Sequence, residues 1–172
     1  FVANIKGVPS HAILADAYHV NSRMDHRGGC GFEENTGDGA GILTATPDTF
    51  FRAIAGQLGF ELPEVGLYCV GNLFLPTIES LRLSCQETIE QIVREEGLTF
   101  LGWRAVPIAP DTANIGPAAQ AAMPFIAQLL RASPTGDSEA EFARKLYIAR
   151  KQFSGRLQPS VPDDQLVYAC SL

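Results

Sequence analysis

Arg27 and the glycine-rich stretch that follows it hold the residues best suited to chemistry. The segment His26 to Gly39 reads HRGGCGFEENTGDG, with five glycines among fourteen residues. Such a density marks either a run of tight turns or a wall around a ligand, because glycine permits close backbone approach. A guanidinium at the head of this stretch can grip a carboxylate through two parallel hydrogen bonds. The same arginine can instead pair with Asp25, Glu33 or Asp38, and residue type alone leaves both readings open. Asp38, between Gly37 and Gly39, fits an exposed turn, a place where aspartate ordinarily satisfies its own backbone. Cys30 has a cationic neighbour that would favour a thiolate. No adjacent base is evident, so it carries no catalytic assignment.

Several other chemistries lack their residues. The glycines match neither GxGxxG nor GxxxxGK[ST], and the chain contains no HExxH and no GxSxG. Cys30, Cys69, Cys85 and Cys170 are widely spaced and form no CxxC pair, so no metal site, cluster or disulfide framework is expected. The 13 basic and 19 acidic side chains give a formal charge of −6 without a basic block. That balance argues against a nucleic-acid partner. No apolar run approaches the roughly twenty residues of a membrane span, and FVANIKGVPSH lacks the pattern of a signal peptide.

The elements that must position Arg27 follow from periodicity. FVANI suggests a strand, closed by Lys6-Gly7-Val8-Pro9. Ser10 is placed to cap a helix whose Ile13, Ala17, Val20 and Met24 share one face. Arg27 then lies just past that helix. AGILTAT, residues 40–46, reads as a strand leading away from the glycines. Asp48 should cap a helix to about Leu58, with Gly59 as its exit. Residues 65–75 read as a buried, bulged strand, 77–96 as the longest helix, and 98–106 as another strand. Residues 110–116 look like a loop. Residues 118–131 read as a helix with Ala119, Met123, Ile126 and Leu130 inward, although Pro124 should bend or restart it. Asp137 or Ser138 should cap a last helix whose Phe142, Leu146, Ala149 and Phe153 share a face. LVYACSL, residues 166–172, reads as a final strand. Trp103 and Arg104 either line a pocket or, for the tryptophan, pack into a core. The alternation of strands and helices suggests an α/β arrangement with covered sheets, and periodicity leaves open one parallel sheet or two facing sheets.

Taken together, FVANIKGVPSH, MDHRGGCGFEENTGDGAGIL, GWRAVP, RKLYIARK and VYACSL resemble the amidotransferase region of the large subunit of glutamate synthase, in the family's order and over essentially the whole chain. This resemblance implies an α+β, four-layer αββα N-terminal-nucleophile hydrolase fold, present only in part, with residues 1–172 as the N-terminal portion of a type-2 glutamine amidotransferase domain. It implies hydrolysis of glutamine to glutamate and ammonia, the ammonia passing to a synthase domain of the same polypeptide that aminates 2-oxoglutarate. The family's nucleophile is an N-terminal cysteine in a C-G-x-G-F opening, whose free amine serves as base. Phe1 matches the phenylalanine of that opening, so the cysteine is expected upstream of Phe1 and no catalytic residue is assigned here.

By the same resemblance Arg27 binds the α-carboxylate of glutamine, while Gly28, Thr36, Gly37, Asp38 and Gly39 shape the pocket. The family's later arginine motif, its Asn-Gly oxyanion pair and its acidic recogniser of the substrate amine are expected beyond Leu172. The isolated segment is accordingly expected to be inactive. No cofactor is expected within it. FMN and an iron-sulfur cluster belong to the parent enzyme, with NADPH or ferredoxin as electron source, and a reductase subunit or ferredoxin is then a partner. The expected compartment is the cytoplasm, or the plastid in a plant or alga. The competing reading is a noncatalytic regulatory or interaction domain that keeps the amidotransferase scaffold.

Overall fold

The computed structural model describes residues 1–24, 27–29, 33, 36–37, 39–134, 136–165 and 167–170. The chain divides into two compact units, Phe1–Ala45 with Ala109–Ala122, and Thr46–Ile108 with Met123–Leu172.

In the second unit a four-stranded antiparallel sheet is built from β1 (Tyr68–Leu75), β2 (Thr99–Ala105), β3 (Phe125–Ala132) and β4 (Tyr168–Ala169), in the order β2-β3-β1-β4. β1 and β3 pair without interruption from Tyr68↔Ala132 to Leu75↔Phe125. The expected bulge falls elsewhere: Phe100 and Gly102 of β2 face consecutive residues of β3, which leaves Leu101 as the extra residue.

Alternation along the central strands explains how one sheet serves two cores. Cys69, Leu73 and Leu75 of β1 and Ala127 and Leu129 of β3 point to one face. There they meet Cys85, Ile89, Ile92 and Val93 of a helix at Glu79–Glu95, and Phe142, Ala149, Phe153 and Leu157 of a helix at Glu139–Leu157. Tyr68 of β1 and Leu130 and Ala132 of β3 point the other way, against Phe51 and Ala55 of a helix at Asp48–Leu58. Each large apolar side chain buried here contributes about 1.5–3 kcal/mol relative to exposure. The unit is α+β, with an antiparallel sheet and separate helices.

One charged group lies within this core. Arg131 is fully buried, donates from Nε to the Cys69 Sγ at 3.0 Å and lies 5.7 Å from the centre of the Phe153 ring. Its two terminal nitrogens have no hydrogen-bond partner among the described residues. Burial pushes the Cys69 thiol up, and the neighbouring Arg131 opposes that shift.

Local signals account for some helix ends. The Glu139–Leu157 helix begins with a complete capping box, Ser138 and Glu141 each bonding the other's backbone. The Asp48–Leu58 helix ends at Gly59 with φ 83°, the left-handed exit that glycine adopts without strain. Asp48 itself does not cap: Pro47 holds that position, and the Asp48 carboxylate accepts from Arg52 Nε at 2.9 Å and Tyr68 Oη at 2.9 Å.

Other expectations are corrected. Residues 118–131 are not one helix; five residues, Pro117–Ala121, are helical and Phe125–Ala132 is a central strand. Pro124 stops the helix, and the apolar run after it is buried on both faces, as a central strand requires. Residues 1–5 and 40–46 are not strands, and among the described residues of 166–172 only Tyr168–Ala169 form one. The helix at Glu139–Leu157, with 19 residues, exceeds the 17 of Glu79–Glu95.

The first unit contains a helix at His11–Ser22 and two short ones at Pro110–Ala113 and Pro117–Ala121. Ser10 stands at the cap of the first but makes no side-chain capping bond. Of the apolar stripe, Ile13 and Ala17 are half-buried, while Val20 and Met24 are exposed. No hydrophobic side chain among the described residues of this unit is buried.

Candidate functional site in the glycine-rich loop

The loop begins where the His11–Ser22 helix runs out. Arg23 N donates to the His19 and Val20 carbonyls, Met24 N to Asn21 O, and Arg27 N to Met24 O at 2.8 Å. These successive turns fix the backbone of Arg27 at the end of the helix, while the residue remains exposed. Among the described residues Arg27 forms no ion pair with Glu33. Asp25 and Asp38, its other two sequence candidates, lie outside the described residues, as does Cys30.

Glu33 has a different occupation. Its Oε1 accepts from Ala118 N at 2.7 Å, and its Oε2 from Ala119 N at 3.4 Å and Thr36 Oγ1 at 3.2 Å. Thr36 Oγ1 in turn accepts from Gly116 N at 2.9 Å. Pro117 opens the short helix and has no N–H, so Ala118 and Ala119 carry its first helical donors. The carboxylate sits where the helix end favours negative charge, and hydrogen bonds to an ionised acceptor are the stronger kind.

At two glycines a side chain would crowd a neighbour. A Cβ on Gly116 would occupy the space of the Glu33 carboxylate. A Cβ on Gly37 would meet the Gly29 carbonyl oxygen at 3.1 Å, tighter than ordinary contact. The two arms of the loop therefore lie against each other, Gly29 on the Arg27 side and Gly37 on the Thr36 side. Gly39 has φ 77°, a left-handed turn just beyond. Gly28 and Gly39 are exposed, and Thr36 is half-buried.

The structure thus brings Gly37 against Gly29, two residues from Arg27, and ties Thr36 to Glu33. The role of Glu33 was not readable as a cap: 85 residues separate it from Ala118. Reading a helix from residue 118 names no partner for its first amides.

Trp103 and Arg104 belong to the sheet unit. Trp103 packs against the larger core and donates from Nε1 to Glu90 at 3.0 Å, so it is a packing residue. Arg104 donates to Gln128 at 2.7 Å, and Gln128 to Asn72 at 3.0 Å, in a polar row across three strands. Among the described residues no group of three His, Cys, Asp or Glu side chains could hold a metal ion, and no helix is long and apolar enough to cross a membrane.

Comparison with known proteins gives the arrangement its context. The profile of the class-II glutamine amidotransferases matches residues 1–172. The chain is 36% identical over 178 residues to the NADH glutamate synthase of Schizosaccharomyces pombe, with 100% of this chain and 8% of that protein covered. It is 37% identical over 157 residues to ferredoxin-dependent glutamate synthase 2 of Synechocystis, covering 91% of this chain and 10% of that one. To the large chain of the NADPH glutamate synthase of Bacillus subtilis it is 38% identical over 151 residues, covering 87% and 10%. The chain spans 8–10% of the length of these relatives. This chain belongs to the class-II glutamine amidotransferases, and its likeness is to the amidotransferase region of glutamate synthase large chains.

Proposed function

We propose that residues 1–172 form the N-terminal portion of a type-2 amidotransferase domain that supplies ammonia within a glutamate synthase. The parent hydrolyses glutamine to glutamate and ammonia, and a synthase domain of the same polypeptide uses the ammonia for reductive amination of 2-oxoglutarate. Arg27 binds the α-carboxylate of glutamine. Gly28, Thr36, Gly37, Asp38 and Gly39 shape the pocket around it.

The observation that carries this reading is the division of labour between Arg27 and Glu33. Arg27 is held by its backbone at a helix end with its side chain exposed, while the nearby carboxylate is committed to Ala118, Ala119 and Thr36. A guanidinium kept apart from that carboxylate is suited to a substrate carboxylate. Anchoring this end of glutamine sets the distance between its side-chain amide and the nucleophile, which is how positioning lowers a barrier.

The nucleophile is the cysteine expected upstream of Phe1. Its own α-amine takes the thiol proton, the sulfur attacks the amide carbon, and ammonia leaves from a tetrahedral intermediate stabilised by oxyanion donors. Water then releases glutamate. FMN and an iron-sulfur cluster belong to the synthase part of the parent, which draws electrons from NADPH or from ferredoxin, directly or through a reductase subunit. The proposed compartment is the cytoplasm, or the plastid in a plant or alga.

The test is glutamate release from glutamine by the full-length polypeptide and by residues 1–172 alone. Turnover by the former and none by the latter is expected. Glutaminase activity in mass-verified material containing only these residues would refute the assignment of the nucleophile.

A further inference from the structure

We infer that Glu33, Thr36 and Gly116 form a latch that positions the substrate-binding loop, making them positioning residues for glutamine recognition. The inference rests on Arg27 binding the substrate carboxylate.

The mechanical path consists of short contacts. Gly116 N and Ala118 N donate into the loop through Thr36 Oγ1 and Glu33 Oε1, at 2.9 and 2.7 Å. Glu33 and Thr36 are also joined to each other, through Thr36 N to Glu33 O at 3.1 Å and Thr36 Oγ1 to Glu33 Oε2 at 3.2 Å. Gly37 follows directly and lies against the Gly29 carbonyl. Gly29 is two residues from Arg27, whose amide is tied back to Met24. Fixing Thr36 therefore fixes the surface on which the Arg27 arm rests.

Gly116 supplies a clean perturbation. Its φ of −69° and ψ of 161° are open to alanine, so the substitution introduces no backbone strain. The added methyl instead takes the place of the Glu33 carboxylate, which must leave Ala118. Gly116→Ala and Glu33→Ala thus remove one contact from its two sides.

The experiment measures glutamine hydrolysis by the full-length polypeptide carrying Gly116→Ala, Glu33→Ala, both together, Thr36→Val and Thr36→Ser. Each of the first two is expected to raise KM for glutamine about fivefold or more while kcat stays within about twofold, since lost binding shared by ground and transition states appears in KM. The double variant should be no worse than the worse single one, because both act on one contact. Thr36→Val should raise KM, and Thr36→Ser, which keeps the hydroxyl, should restore it.

An unchanged KM in both Gly116→Ala and Glu33→Ala, multiplicative effects in the double variant, or a joint fall of kcat and Tm would overturn the latch. Arg27→Ala tests the underlying reading separately. If it leaves KM for glutamine unchanged, the carboxylate assignment fails; if it raises KM while the latch variants do not, only the latch fails.

Discussion

The two units of this chain keep their shape by different means. In the sheet unit, Leu73, Ile89, Leu129 and Phe153 are almost completely enclosed and hold one another in place. In the unit that carries Arg27, the described apolar residues are exposed or half-buried, and the loop is organised by side-chain oxygens bonded to backbone amides. Packing gives a stiff scaffold whose parts fail together. A few polar contacts give a local arrangement that one substitution can release without unfolding the rest.

The contrast breaks most visibly with paired truncations. Leu129→Ala in the sheet core is expected to destabilise the protein by about 2–5 kcal/mol in urea unfolding, through lost burial and a residual cavity. Leu14→Ala, on the exposed side of the first helix, should stay within about 0.5 kcal/mol. Equal losses at the two sites would remove the distinction between the units.

Arg131 sharpens the comparison from inside the core. Its guanidinium is buried with only a thiol as hydrogen-bond partner among the described residues, so its desolvation is poorly compensated. Arg131→Met keeps most of the volume and is expected to be neutral or to raise stability by about 1–4 kcal/mol, read from the urea midpoint at constant m-value. A loss of several kcal/mol would mean that the charge is matched within the fold.

A smaller effect is expected at the capping box. Ser138→Ala should remove about 1 kcal/mol, since Glu141 N would lose its acceptor in the first turn of the long helix. An unchanged unfolding midpoint would show that the turn is held by packing alone.

A further signal is in pH dependence. Burial, and then the hydrogen bond to Asp48, pushes the Tyr68 hydroxyl from 10.0 up to about 12. Its folded pKa is raised, so its contribution is fully present below pH 10 and lost as pH rises through about 12. Asp48 shifts the other way: Arg52, then Tyr68, holds its carboxyl below the usual value of 3.8. Its contribution is present above that value and is lost as pH falls through the lowered folded pKa. Tyr68→Phe should remove the alkaline dependence and weaken the acidic one. An alkaline slope identical to the wild type would assign that dependence to other groups.

The sequence exposed the scaffold unevenly, and the particular residues show why. The Ser138 cap and the Gly59 exit are local signals, and each is found where its spacing places it. β3 was misread because Ala119, Met123, Ile126 and Leu130 also satisfy a helical period. Pro124 was the decisive residue, and pairing with both β1 and β2 overrode the local preference. Arg27 could be singled out by its type and its position after a helix. Glu33 could not, since an acceptor for distant backbone amides has no marker in the chain.

The central claim is that Arg27 meets the α-carboxylate of glutamine. Its most direct test compares binding of glutamine with binding of its α-carboxamide analogue to the full-length polypeptide, in the wild type and in Arg27→Ala. Wild-type protein should favour glutamine by about tenfold or more, as loss of a charge-assisted hydrogen bond to a carboxylate implies. Arg27→Ala should erase that preference while leaving binding of the carboxamide nearly unchanged. A variant that discriminates between the two ligands as strongly as the wild type would show that the carboxylate is bound by another group.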